Sequence, residues 1–321
     1  MYTRNHFGIV VENANRRISI FDTNTQEVLQ QLPIDADLLD VAINSDCTRA
    51  FVTSFESQTM YQIDLCAMPA RVVGSAVSST MLEDVALTPD GKYALSVDGS
   101  ATDQDVVSYS SRQNAFVSSL PTSAQAIAIS PKNRGLVLTA EYFNDSVHRF
   151  VLHPDGSLED TGQSISTGAA PINLIFSPSG EFAFVAAETG SSVSVLSTLI
   201  PENIILLGNV PTSAPPQSLT VTHDGKHVFA LTASSVDIFV FDPVAGSLAL
   251  ERSFAHGLGI TTFFGVDQIA LNACETKLFI SASEQVAVFT TYGLPLGNVI
   301  GVEGPGGIAI CPCHFDHRMF D

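Results

Sequence analysis

Glu188 and His256 are the side chains of this 321-residue chain best suited to moving protons. Glu188 sits in the polar break after Ala186-Ala187, where a carboxylate can serve as general base. His256 lies in FAHGLGITTFFGVD (254–267), where three glycines accompany Phe263 and Phe264. Such a stretch reads as a flap carrying a histidine acid or base, or as an insertion whose Phe rings pack on the body. A second set is Asp40, Glu83, Asp84, Asn173, Gln217, Asp267 and Glu284, all at the ends of short apolar runs. With Phe263 and Phe264 they are the candidates for binding a ligand. Their oxygens suit Ca²⁺ or Mg²⁺, with Asp40, Asp84 and Glu188 as metal candidates, and crowded carboxylates raise one another's pKa. Residues at strand ends are also polar simply because they meet water, and both readings stay open.

The elements that must position these residues come from a repeat. In Leu82–Val97 an apolar run (Val85-Ala86-Leu87) is followed by Thr-Pro-Asp-Gly and a second run, Tyr93-Ala94-Leu95. Proline presets φ, aspartate bonds back to the backbone and glycine supplies positive φ, so the stretch is a β-hairpin. The first run recurs at Val41, Val85, Ile127, Leu174, Leu219, Ile269 and Ile308, with 39 to 50 residues between copies. Six copies continue into a turn (NSDC, TPDG, SPKN, SPSG, THDG, NACE), a second run and a third, and a weaker fourth run precedes the next copy. Four strands at this period make a propeller blade. The middle residue of the first run is Ala in five copies, as expected where inner strands crowd toward an axis; Ile175 and Thr220 break the pattern. The chain opens on a second and a third strand (7–12 and 17–22) that lack a first, and it closes on Ile308-Ala309-Ile310, a first strand with nothing after it. The expectation is an all-β, seven-bladed β-propeller of four-stranded blades, one domain over 1–321. Its last blade combines N-terminal strands with a C-terminal inner strand.

TPDGK at 88–92, SPSGEFAFVA at 177–186 and RISIFDTNTQEV at 17–28 resemble the YVTN-type propeller unit. That resemblance spans the chain and implies the fold. A narrower one rests on VLHPDGSLEDTG (151–162) and FDPVAGSLALERSF (241–254), which look like outer hairpins of the propeller lactonases related to 6-phosphogluconolactonase. It places the family's site Glu at Glu188, within 170–196; Ile172 and Asn173 stand where the family carries Arg and His. Two functions follow as expectations. One is a binding propeller that presents an acidic channel face to a cation, a small molecule or a basic protein partner. The alternative is a lactonase-like hydrolase or isomerase acting on a small ester or sugar-derived substrate.

Composition narrows the partners. Asp and Glu number 33 against 14 Lys and Arg, a net charge of −19, which is the wrong sign for a nucleic-acid backbone. No apolar run approaches the roughly 18 residues of a membrane-inserted helix. The opening MYTRNHFGIV has no basic and apolar leader, so a cytoplasmic location is expected, or an extracytoplasmic one if a signal peptide has been removed. Five cysteines (47, 66, 274, 311, 313) are an odd number in a long chain, which argues against a disulfide framework and favours a reducing compartment. The Cys-x-Cys of CPCHFDH (311–317) is poorly spaced for zinc and reads as a turn followed by a tail.

Overall fold

The computed structural model describes residues 6–98, 105–133, 135–260 and 266–311. They form seven four-stranded antiparallel sheets, each a blade. The inner strands are Leu38–Ile43, Val85–Leu87, Ala126–Ile129, Pro171–Phe176, Pro216–Val221, Ile269–Leu271 and Pro305–Ile310. These are numbered blades 1 to 7 below. In each blade the second and third strands are buried on both faces, as in Phe182–Ala187 and Ser192–Ser197 of blade 4. Outer strands such as Ile205–Pro211 expose much of their length, so the core lies between blades rather than on one side of a sheet.

The turns between first and second strands explain the repeat chemically. Their fourth residue is left-handed at Gly91 (φ 64), Gly180 (φ 68) and Gly225 (φ 69), where glycine has no Cβ penalty. Cys47 (φ 57) and Glu275 (φ 54) hold the same position in NSDC and NACE. There the leading asparagine supports the turn. Asn44 Oδ1 accepts the N–H groups of Thr48 (3.0 Å) and Arg49 (2.7 Å), and Asn272 Oδ1 those of Thr276 (2.9 Å) and Lys277 (2.8 Å). The middle residues of the inner strands line the central channel: Ala42, Thr220, Ala270 and Ala309 around one cavity of about 320 Å³, and Ala86 and Ala128 around a second of about 330 Å³. Ile175 borders both, so the bulky exception fills the axis between them.

Ring closure follows the expected scheme. Blade 7 has the order Pro305–Ile310, Phe7–Glu12, Arg17–Asp22, Val28–Pro33, with Gly8 opposite Ile310 and Val10 opposite Ile308. Closure removes a free sheet edge. Deleting residues 305–321 therefore leaves material without a cooperative thermal transition; a deletion protein with a sharp melt would contradict the closure scheme.

One expectation is corrected. Against the reading of a chain without disulfides in a reducing compartment, Cys47 and Cys311 form a disulfide, with Cα atoms 5.6 Å apart and a sequence separation of 264. Sequence spacing could not pair them, because only closure of the ring brings the turn of blade 1 beside the end of blade 7. Cys66 and Cys274 are exposed and free. Cys313 and the histidines of CPCHFDH lie outside the described residues, as do Phe263 and Phe264.

Candidate functional site

The polar residues at the inner-strand entrances fall into two groups. The first joins blades. Asp40 Oδ2 accepts the N–H of Val85 (3.2 Å), Asp84 Oδ2 that of Ile127 (2.7 Å) and Asn173 Oδ1 that of Leu219 (3.1 Å). In each case the side chain that opens one inner strand holds the first residue of the next blade's inner run. Asn173 Nδ2 also donates to Asp267 Oδ1 at 3.1 Å, tying blade 4 to blade 6. Asp40 and Asp84 act on each other, and Asp267 acts on both. Burial is the main cause that lifts all three carboxyls, Asp40 and Asp84 well above the usual range and Asp267 to about 6. Asp267 keeps partial access to the channel and borders both cavities. A methyl group at Gly307 would lie 2.8 Å from the Asp40 Cα and strike its carboxyl, so glycine lets blade 7 approach this cluster.

The second group surrounds Glu188, on the link between the second and third strands of blade 4. Tyr142 O–H, from the corresponding link of blade 3, donates to Glu188 Oε2 at 3.0 Å. Gln217 Nε2, from the entrance of blade 5, donates to Oε1 at 3.1 Å. Three blades thus fix one half-buried carboxylate on the face of the channel opposite the first-to-second-strand turns. Burial, then Glu188 itself, raise the Tyr142 pKa, which keeps the phenol a donor. Neither Tyr142 nor its role stood out in the sequence. The only available signal was an aromatic pair, Tyr142-Phe143, inside an otherwise polar link.

The remaining candidates are placed differently. His256 is buried: its Nε2 lies 3.0 Å from the Thr232 carbonyl, and its Nδ1 accepts the N–H of Leu258 at 3.0 Å. Two backbone contacts set its tautomer, and burial lowers its pKa. Glu83 is buried under Thr53, whose hydroxyl donates to its carbonyl at 2.7 Å; Glu284 is exposed. Ile172 is fully buried in the core between blades 4 and 5, against which Tyr142 packs. Asp40 and Asp84 are brought together, while Glu188 joins Tyr142 and Gln217 instead. Among the described residues, no group of three or more His, Cys, Asp or Glu is placed to hold a metal ion. No helix of the described residues is long and apolar enough to cross a membrane.

Comparison with known proteins bears on the fold and the family. A solved protein from Desulfotomaculum acetoxidans DSM 771, described as functionally unknown, is 44% identical over 97% of this chain and 100% of its own, with a TM-score of 0.94. The chain belongs to that protein's family. It also matches curated 6-phosphogluconolactonases: the one from Cronobacter sakazakii is 32% identical over 136 residues, which are 38% of this chain and 40% of the relative. The matched stretch therefore spans less than half the length of its curated relatives. The periplasmic gluconolactonase of Pseudomonas aeruginosa shares the fold, with a TM-score of 0.79 at 14% identity over 95% of this chain and 99% of its own. In fold the chain is a 6-phosphogluconolactonase-like seven-bladed propeller. No family model matches it.

Proposed function

We propose that this propeller is a lactonase-like hydrolase that opens a small, sugar-derived ring ester at the link face of its channel, with Glu188 as general base. The observation that carries this reading is the Glu188 carboxylate, held by Tyr142 and Gln217 from two neighbouring blades. The similarity to 6-phosphogluconolactonases over part of the chain supports the reaction class. In the proposed step Glu188 takes a proton from water as the oxygen attacks the ring carbonyl. Collapse of the tetrahedral adduct breaks the acyl–oxygen bond, and the proton passes to the departing ring oxygen, giving a hydroxy acid. Two fixed donors hold the carboxylate in one orientation, and such positioning supplies much of a general base's effect.

A second reading, binding without turnover to a small molecule or protein, is favoured by Ile172 and Asn173. The first is core and the second a blade-to-blade tie, so neither offers the cation-and-imidazole pair of the family pattern. Hydrolysis of a panel of aldonolactones, followed by acid release and corrected for spontaneous opening, separates the two. For the hydrolase, Glu188→Gln lowers kcat/KM by about 100-fold or more with the fold intact. Wild-type rates equal to the spontaneous rate across the panel would leave the binding role. We further place the protein in an oxidising, extracytoplasmic compartment, which the buried Cys47–Cys311 bond supports.

A further inference from the structure

The link that supplies Tyr142 carries a second aromatic residue that the Glu188 network does not use. Leu136–Glu141 and Ser146–Leu152 of blade 3 are joined by a single 3₁₀ turn, Tyr142–Asn144. The turn is pinned from several sides. Asp145 ends it in a left-handed conformation, its Oδ1 accepting the N–H of Ala170 (2.7 Å) and its carbonyl that of Thr167 (2.9 Å). Asn144 Nδ2 donates to Ser123 Oγ at 2.7 Å and to Glu141 Oε2 at 3.2 Å. The N–H of Tyr142 donates to Gln125 Oε1 at 3.3 Å. On this braced turn Phe143 is 68% exposed. Among the described residues it is the one large apolar side chain so exposed in a link between second and third strands; the others lie on outer strands, on turns at the rim, in the connections between blades or, for Val240, near the end of a third strand.

A lone exposed phenylalanine needs no explanation. This one is not alone. Its ring meets Tyr142 edge to face, with centroids 5.1 Å apart and planes at 77°, and the Tyr142 hydroxyl is the group that holds Glu188. An exposed apolar ring is thus joined through Tyr142 to a fixed carboxylate that Gln217 also holds, and Asn144 follows it on the same braced turn. Sugar rings have that division: their C–H faces are apolar and their rims carry hydroxyls. Binding sites commonly join aromatic walls to a few polar groups that set orientation.

We propose that Phe143, backed by Tyr142, is the stacking platform of a subsite for the C–H face of a neutral, sugar-derived ring, seating the ring ester against Glu188. The inference rests on the lactonase-like reading for the reaction but not for the binding. The ring stacks on Phe143, its hydroxyls face Glu188, Gln217 and Asn144, and the ester carbonyl turns toward the water that Glu188 activates.

The chain contains no tryptophan, so Phe143→Trp installs a single reporter at the platform. The probe is gluconolactam, the ring amide that mimics the lactone but is not opened. Expected results are a saturable change in the indole emission on titration with gluconolactam, and about tenfold weaker binding by calorimetry for Phe143→Ala in an otherwise native fold. Two results would overturn the proposal. One is calorimetric binding of gluconolactam with no change in emission and no effect of Phe143→Ala. The other is no binding to a wild-type protein that hydrolyses aldonolactones. A saturable emission change in a protein without hydrolysis would uphold the subsite and remove only the hydrolase reading.

Discussion

Replacing Cys47 and Cys311 by serine lowers the melting temperature by an amount on the order of 10 °C, and reductant produces the same loss in the wild-type protein. The size follows from what the bond joins. It connects the blade 1 turn to the end of the blade 7 inner strand, across 264 residues. In the chain-entropy account, a crosslink closing a loop of that length removes about 5 kcal/mol of freedom from the unfolded chain. Both half-cystines are buried in the core shared by blades 7 and 1, among Ile9, Val41, Ala50 and Ile63. The bond therefore anchors the C-terminal strand, which completes blade 7, to blade 1. Backbone pairing inside blade 7 holds the same C-terminal strand, including the Cys311 N–H to the Phe7 carbonyl at 3.0 Å, so the reduced protein still closes its ring but holds it less firmly. Coincident melting curves with and without reductant would falsify this account of the bond.

The second large effect is with pH. Asp40, Asp84 and Asp267 have folded-state pKa values raised by burial and by one another. The groups that face them are each other, Asn173 and the N–H groups of Val41, Val85 and Ile127. A carboxyl that holds its proton more tightly when folded contributes stability that is complete below its unfolded pKa and is lost as pH rises through the folded value. For Asp267 the loss runs from about pH 4 to about pH 6, and a shift from 3.8 to about 6 corresponds to roughly 3 kcal/mol. Asp40 and Asp84, also raised, contribute in the same sense. Glu12 acts in the opposite sense. Despite the cost of its burial, hydrogen bonds from Arg17 (2.7 Å), Ser19 and Asn15 lower its pKa, so its contribution is present near neutrality and lost in acid. Asp64, Asp90, Asp155, Asp160 and Asp224, whose pKa values are also lowered, act in the same sense as Glu12, so the profile of the whole protein sums opposing contributions and the difference between variants isolates the cluster. Asp84→Asn keeps an oxygen for the Ile127 N–H and removes one titrating group. It flattens the fall in melting temperature as pH rises above about 4 while changing little below it. Parallel wild-type and Asp84→Asn profiles across that range would show that the cluster does not set the slope.

The architecture was legible because its signal is periodic and local. Each blade repeats the same apolar run, turn and second run, and turn residues such as Gly91, Gly180 and Gly225 declare their positive φ directly. Closure was legible for the same reason, since an inner run with no successor and outer runs with no predecessor complete each other. Sequence position also set the polar entrance residues apart from the core, but not what they do there. Asp40, Asp84 and Asn173 have the types of ligands, yet they bind the next blade's backbone, because inner strands close to the axis leave N–H groups within reach of the neighbouring side chain. Glu188 was marked by its place in the link, whereas its partners come from the blades on either side, a relation that no spacing along the chain encodes. The Cys47–Cys311 bond is the extreme case, its halves 264 residues apart and adjacent only once the ring has closed. The sequence alone determined the repeat, the number of blades and how the ends meet, because these depend on near-neighbour chemistry. Tertiary structure decided which polar groups tie blades together, which carboxylate neighbouring blades hold in place and which thiols are joined, because those outcomes depend on distances across blades.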